Sequence, residues 1–263
     1  MNIKPKKSLG QNFLIDQNIL NKICDIGQIQ STDIVLEVGP GTGNLTKKII
    51  EKKPKKIFVI EKDENLCEHL EENYSNQIEI INKDVLKLDQ NIFNEMKLIV
   101  FGNLPYNIST QILTSWLKLE NINNHYKKFI LMFQKEVADR IIAKYNTKYY
   151  GRLTIISNWK MNIRKIMDIN PSSFYPKPKV KSTVLLLEPK LSYFKLKSSK
   201  NLEHVTNTFF NQRRKMIKKP LKFLFKNYNE IASNLNLNLN LRPQNLKVDE
   251  YLNICDIYEK LNN

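Results

Sequence analysis

The chain has 263 residues, 41% of them hydrophobic, enough to bury a full core in one large domain or in one domain with a small annex. A formal charge of +16 favours a polyanionic partner, nucleic acid or an anionic membrane, unless heavy use of Lys and Asn along the whole chain accounts for it. Cys24, Cys67 and Cys255 are too scattered for a disulfide framework or a zinc site, and no segment approaches the ~18 apolar residues that span a bilayer; the expectation is a soluble intracellular protein.

The N-terminal stretch MNIKPKKSLGQNFL is basic but lacks the apolar run of a secretory signal. From Asp33 to about Phe133, short runs rich in Ile, Val and Phe alternate with amphipathic stretches, the pattern of βαβ units. The predicted strands are DIVLEV, KIFVIE, IEIIN, KLIVFGN and KFILMF, with helices beginning near Leu45, Asp63, Ser109 and Gln134. Such a series makes a mostly parallel sheet covered on both faces, and ligands bind outside the carboxyl ends of its strands. Beyond Arg152 the pattern loosens into INPSSFYPKPKVKSTVLLLEP, read as a loop and a final strand, with a domain boundary near Pro189. Residues 1–189 are then one domain and 190–263 a small helical one. In the latter, HVTNTFFNQRRKMIKKPLKFLF is a basic amphipathic stretch, SNLNLNLNLRPQNL a loop with helix around it, and LKVDEYLNICDIYEKL a closing helix.

The chemistry gathers at the strand ends. Gly39, Gly41 and Gly43 follow the first strand, where glycines permit positive φ and bring backbone N–H groups close to a ligand. Position 44 is Asn, so the G-x-G-x-x-G of a dinucleotide site is not met; a bare tight turn is the plain alternative. Glu61 ends the second strand, placed to accept hydrogen bonds from ribose hydroxyls, and Asp84 follows the third, placed either to accept from an adenine amino group or to cap a helix. Together they outline a site for an adenosyl ligand with no demand for a phosphate, which S-adenosylmethionine fits. Asn103, Leu104, Pro105 and Tyr106 follow the fourth strand. A carboxamide oxygen and a main-chain carbonyl can accept both N–H bonds of an exocyclic amine, while Tyr106 offers a ring for the base. An aryl amine is a weak nucleophile because its lone pair is delocalised. Two acceptors that draw the N–H bonds out of the ring plane restore that lone pair for methyl transfer. His69, His125 and His204 are scattered and receive no catalytic role.

With GQNFL at Gly10 to Leu14, VLEVGPGTGNLT, IEKD at Ile60 to Asp63, KDVL at Lys83 to Leu86, GNLPY at Gly102 to Tyr106, FQKEVADR, YGRL and FYPKPKVKS at Phe174 to Ser182, the sequence resembles the KsgA family of small-subunit ribosomal RNA adenine dimethyltransferases over nearly its whole length. The resemblance implies a class I, Rossmann-like α/β methyltransferase sheet that uses S-adenosylmethionine, followed by a small helical domain. It implies that Asn12 and Leu14 close over the cofactor, that Gly39 approaches its methionine portion with Gly41 beside it, and that Glu61 takes the ribose and Asp84 the adenine. Asn103 then serves cofactor and target, Leu104 supplies a carbonyl, and Tyr106 with Phe174 sandwiches a flipped adenine. The C-terminal resemblance is thinner: the residues after Lys215 depart from the family's usual RRKTL form, although LRPQNLKVDEYLNI resembles its closing segment.

The implied reaction is dimethylation of two adjacent adenosines near the 3′ end of small-subunit rRNA within a pre-30S particle, by a monomer and without metal. Arg213, Arg214, Lys215, Lys218 and Lys219 are the expected phosphate contacts, with KPKK at the N-terminus second and a solvated helix face the alternative. An Erm-type enzyme acting on large-subunit RNA, or a non-catalytic nucleic-acid binder of the same fold such as the mitochondrial transcription factors, are the rival readings.

Overall fold

Apolar runs that alternate with amphipathic ones pair side by side and bury both faces. In the computed structural model, which describes residues 4–6, 9–93 and 96–262, the order begins with β1 (Phe13–Leu14), α1 (Gln17–Gly27), β2 (Ile34–Val38), α2 (Asn44–Glu51), β3 (Lys56–Glu61), α3 (Glu64–Tyr74) and β4 (Glu79–Asn82). It continues through β5 (Leu98–Asn103), α4 (Ser109–Leu117), α5 (Ile122–His125), β6 (Tyr126–Gln134), α6 (Lys135–Ile141), α7 (Arg152–Lys160), β7 (Met161–Ile169), β8 (Phe174–Tyr175) and β9 (Ser182–Pro189). Helices α8 (Ser199–Phe210), α9 (Lys218–Leu224), α10 (Tyr228–Asn234) and α11 (Val248–Leu261) close the chain. Among the described residues no helix is long and apolar enough to cross a membrane.

The larger sheet has the order β4-β3-β2-β5-β6-β9-β7. β2 lies parallel to β3 and β5, β3 to β4 and β5 to β6, while β9 runs antiparallel to β6. From β2 the chain first builds outward through β3 and β4, then returns to the other side of β2 as β5. The strand order therefore reverses between β2 and β5, and a crevice opens at their carboxyl ends. Register sets what stands there: Val38 is opposite both Ile60 and Gly102, and Glu61 is opposite Asn82, so Gly39, Glu61 and Asn103 leave the sheet along one edge.

The five strands read from the sequence are β2 to β6. β7 lies at the sheet's edge with most of its side chains partly or fully exposed, so it carries no apolar run to betray it. The basic stretch 204–225 is not one helix. α8 stops at Phe210 and α9 starts at Lys218, because the Ile217 and Lys218 N–H groups donate to the Leu241 and Leu239 carbonyls and pull the chain out of helical register.

Two compact units partition the chain: residues 1–138 with 162–189, and residues 139–161 with 190–263. The expected stretch 1–189 is thus interrupted, because α7 packs with α8 and α11 instead of with the sheet. In this second unit the buried carboxylate of Glu259 on α11 accepts from the Lys197 and Ser198 N–H groups at 2.7 and 3.0 Å and from Asn201 Nδ2 at 2.9 Å, tying down the start of α8. The LRPQNL segment acts as a knot: Asn245 accepts from the Arg242 N–H and donates to Asn146 Oδ1, both at 2.7 Å, while the Gln244 carbonyl takes the Asn146 N–H at 2.8 Å. Replacing Glu259 with Ala removes the acceptor of two part-buried N–H groups, so urea unfolding should show a loss of about 1–2 kcal/mol; an unchanged midpoint would refute the clamp.

Candidate active site

A cavity of about 200 Å³ lies in the first unit at the crevice between the ends of β2 and β5. Its wall is supplied by the strap Leu9–Phe13, the glycine loop, the ends of β3 and β4, and the turn Asn103–Ile108. Gly39 has φ +71°, and a Cβ built there would find only the Asn103 main-chain oxygen, at 3.5 Å, so bare backbone faces open space. Its N–H is held by the Ile60 carbonyl at 3.0 Å, which fixes the loop to β3.

Glu61 is 8% exposed. One carboxylate oxygen accepts the Lys62 and Asp63 N–H groups at 2.8 and 3.0 Å, and the other the Gly41 N–H at 3.4 Å. Burial pushes its carboxyl above the ordinary range against the pull of these main-chain donors. Its position is locked while lone pairs remain for a ligand. Asp84 takes the capping role and also faces the cavity. It caps the short 3-10 turn Val85–Lys87 through the Leu86 N–H at 3.0 Å, and it lines the cavity. Its bond from Lys62 Nζ, at 3.0 Å, holds its carboxyl below the usual range.

The Asn103 side chain is oriented by a bond from its Nδ2 to the Asn12 carbonyl at 2.7 Å. Its Oδ1 and the Leu104 carbonyl accept no hydrogen bond from the described residues. Leu104 folds back over Gly102, where a Cβ would come 2.7 Å from Leu104 Cδ2 and displace that side chain. Tyr106 lines the cavity with Pro105, and its hydroxyl is 2.6 Å from Ser182 Oγ; burial raises its pKa. The strap is closed by Asp63, the cap of α3, which accepts from Lys6 Nζ at 2.6 Å and Gln11 Nε2 at 2.8 Å. Burial alone would raise the Asp63 carboxyl, but these two donors carry it below its ordinary value. Gly10 meanwhile sits against Pro105 and Asn107.

Of the residues expected to bind cofactor, Asn12, Gly39, Gly41, Glu61, Asp84 and Asn103 line the cavity, as do Leu104, Pro105 and Tyr106. Leu14 and Phe174 do not. They face each other across the β1–β8 pair, 5% and 3% exposed, inside the hydrophobic core. Pairing of these two-residue strands turns Phe174 inward and leaves Tyr175 as the exposed ring, so an open clamp between Tyr106 and Phe174 is not formed. Leu14 contributes through its carbonyl, which accepts from Asn44 Nδ2 at 2.8 Å. Asn44 stands where a dinucleotide loop would carry its third glycine.

The basic residues separate as well. Arg213 donates to Gln244 Oε1 at 3.2 Å and to the Lys148 carbonyl, so it holds the 144–150 loop of the second unit, whereas Arg214, Lys215, Lys218 and Lys219 are exposed. In KPKK, Lys6 is bound to Asp63 and Lys7 lies outside the described residues.

Lys6, expected among the phosphate contacts of KPKK, pairs with Asp63 instead, and Gln11 and Ser182 had no assigned role although they stand within the motifs GQNFL and FYPKPKVKS. Nor had Glu37, whose signal is an acid inside the apolar run DIVLEV. Glu37 accepts from Thr46 Oγ1 at 2.7 Å beside a small cavity under the glycine loop. Burial pushes its carboxyl from an ordinary 4.5 up to about 7.

The donor set suits an adenosyl group: two carboxylates at neighbouring strand ends offer acceptors to hydroxyl and amino donors, and the backbone at Gly39 has open space before it. Fold and site together define a class I methyltransferase dependent on S-adenosylmethionine. The family model described as "Ribosomal RNA adenine dimethylase" matches residues 2–260. The chain is 53% identical over 261 residues to "Ribosomal RNA small subunit methyltransferase A" of Pelagibacter ubique (strain HTCC1062), covering 99% of each. A crystal structure of a dimethyladenosine transferase from Plasmodium falciparum matches with a TM-score of 0.76 and 29% identity, over 92% of this chain and 95% of that one. The 23S rRNA methyltransferase ErmE shares the fold, with a TM-score of 0.72 at 20% identity over 94% and 99%. This chain belongs to the ribosomal RNA adenine dimethylase family.

Because the fold favours the protonated form of Glu37, its contribution to stability is full below about pH 4.5 and is lost as pH rises through about 7. Between those limits the melting temperature of the wild type should fall relative to that of Glu37→Gln. Parallel thermal-melt curves would contradict a titrating Glu37.

Proposed function

We propose that the protein transfers methyl groups to the exocyclic amines of two adjacent adenosines near the 3′ end of 16S rRNA, two to each adenosine, acting as a monomer on a pre-30S particle in the cytoplasm. The observation that carries the chemistry is the fixed Asn103 amide. Its N–H side is spent on the Asn12 carbonyl, so Oδ1 is the edge left beside the Leu104 carbonyl. Those two oxygens accept the two N–H bonds of the target amine, and the nitrogen lone pair is thereby withdrawn from the purine ring. When bound, S-adenosylmethionine supplies a methyl made electrophilic by its sulfonium. Pro105 stiffens the turn that carries the acceptors, and Tyr106, pinned through Ser182, presents its face to the base.

Positioning of this kind supplies much of the rate without a covalent protein intermediate. Glu61 and Asp84 hold ribose and adenine of the cofactor, and the strap Gln11–Phe13 covers it. Arg214, Lys215, Lys218 and Lys219 contact phosphates, while Arg213 keeps the second unit's loop in place. The small subunit is favoured over the large one by the 53% identity to a small-subunit methyltransferase across nearly the whole chain, whereas the Erm likeness is one of fold.

Asn103→Ala should lower methyl transfer to unmodified small subunits on the order of 100-fold or more while leaving the thermal melt nearly unchanged. Labelled methyl from S-adenosylmethionine, mapped by primer extension, reads both activity and position. Near wild-type transfer by the variant would remove Asn103 from its role, and label confined to large-subunit RNA would remove the substrate.

A further inference from the structure

The surface around α9 pairs an open aromatic ring with a cluster of cations. Phe223 is 73% exposed, whereas its helix neighbours Leu221 and Phe225 are 0% and 4% exposed, so Phe223 takes no part in the core. Lys219 stands four residues before it on the same face of α9, with Lys222 adjacent, and Lys226 follows just beyond the end of the helix; all three are exposed. Met216, 55% exposed, lies just before α9. None of these lysines has an ion-pair partner among the described residues, and the sequence carries no acid between Glu203 and Glu230.

A solitary exposed apolar side chain is ordinary. A ring framed by uncompensated ammonium groups is a different surface. The charge disfavours an apolar protein face, and a double helix hides the faces of its bases. An unpaired nucleotide satisfies both features, its base on the ring and its flanking phosphates on the lysines. We infer that Phe223, with Lys219, Lys222 and Lys226, forms a stacking site for an unpaired nucleotide of the RNA substrate, separate from the cavity that takes the target adenine. This rests on the reading of the protein as an RNA methyltransferase and adds a second base contact to it.

A short single-stranded oligouridylate serves as probe, with a blunt RNA duplex of the same length as control. Phe223→Ala should weaken binding of the single strand roughly tenfold and leave the duplex unaffected. Phe223→Trp should retain affinity and show quenching of its indole emission on binding, since the native Trp116 and Trp159 are buried and give a steady background. Lys219→Glu should lessen the salt dependence of binding. On saturating small subunits, Phe223→Ala should keep its turnover number and raise KM. Unchanged oligouridylate affinity in Phe223→Ala, an equal loss for the duplex, or binding of phosphatidylserine vesicles in place of RNA would each overturn the site. If the wild type fails to methylate small subunits while the Phe223-dependent stacking is seen, the substrate assignment falls and the site stands.

Discussion

The hydrogen bond from the Asn103 amide to the Asn12 carbonyl joins two walls of the cavity. One partner ends a central strand; the other belongs to the strap before β1, far away in sequence. Without it the carboxamide could rotate and present N–H where an acceptor is needed, and a donor facing the amine would oppose the polarisation that makes it nucleophilic. The same bond ties the strap over the crevice, so the orientation of the Asn103 amide and the covering of the cavity share one contact.

Closure is reinforced by electrostatics one strand over. Glu61 and Asp63 are two residues apart, yet their environments drive them in opposite directions. Glu61 is buried among main-chain donors and shifts upward, while Asp63 gains the Lys6 ammonium and the Gln11 amide and shifts downward. The first suits a group that accepts neutral hydroxyls; the second makes a durable anchor for a basic strap. Neighbouring acids thus divide into a ligand group and a latch, according to what each is given to pair with.

The sheet was legible because β2, β3, β5 and β6 are largely buried and flanked by turn residues, so their apolar runs stand out, while the edge strand β4 keeps the alternation of IEIIN. β7 was not, since at the sheet's edge its apolar residues are broken up by Asn162, Arg164, Lys165 and Asp168 and form no run. The strand-end acids and the NLPY turn were legible because their spacing follows from the fold. The latch was hidden, because a Gln and a Lys near the N-terminus carry no periodicity that points to Asp63. Phe174 shows the opposite failure. Its motif is easily read, but which of two adjacent aromatics faces inward depends on the pairing of β8 with β1, which no local pattern reveals. The gap between α8 and α9 was invisible for the same reason, being imposed by bonds to residues 239 and 241.

The split composition of the second unit bears on how the molecule is made. Its α7 leaves the ribosome well before α8 and α11, the helices on which it packs, so the buried side chains of Ile155, Ile156 and Trp159 must wait through the synthesis of β7, β8 and β9. β9 in turn has to slot between β6 and β7 to finish the sheet. Neither unit can therefore be completed in the order in which it is translated: the sheet closes first, and the helical unit is sealed only when the last helix arrives. A chain stopped at Pro189 would carry a finished sheet and an orphaned helix, which makes this C-terminal region a structural necessity for residues translated long before it.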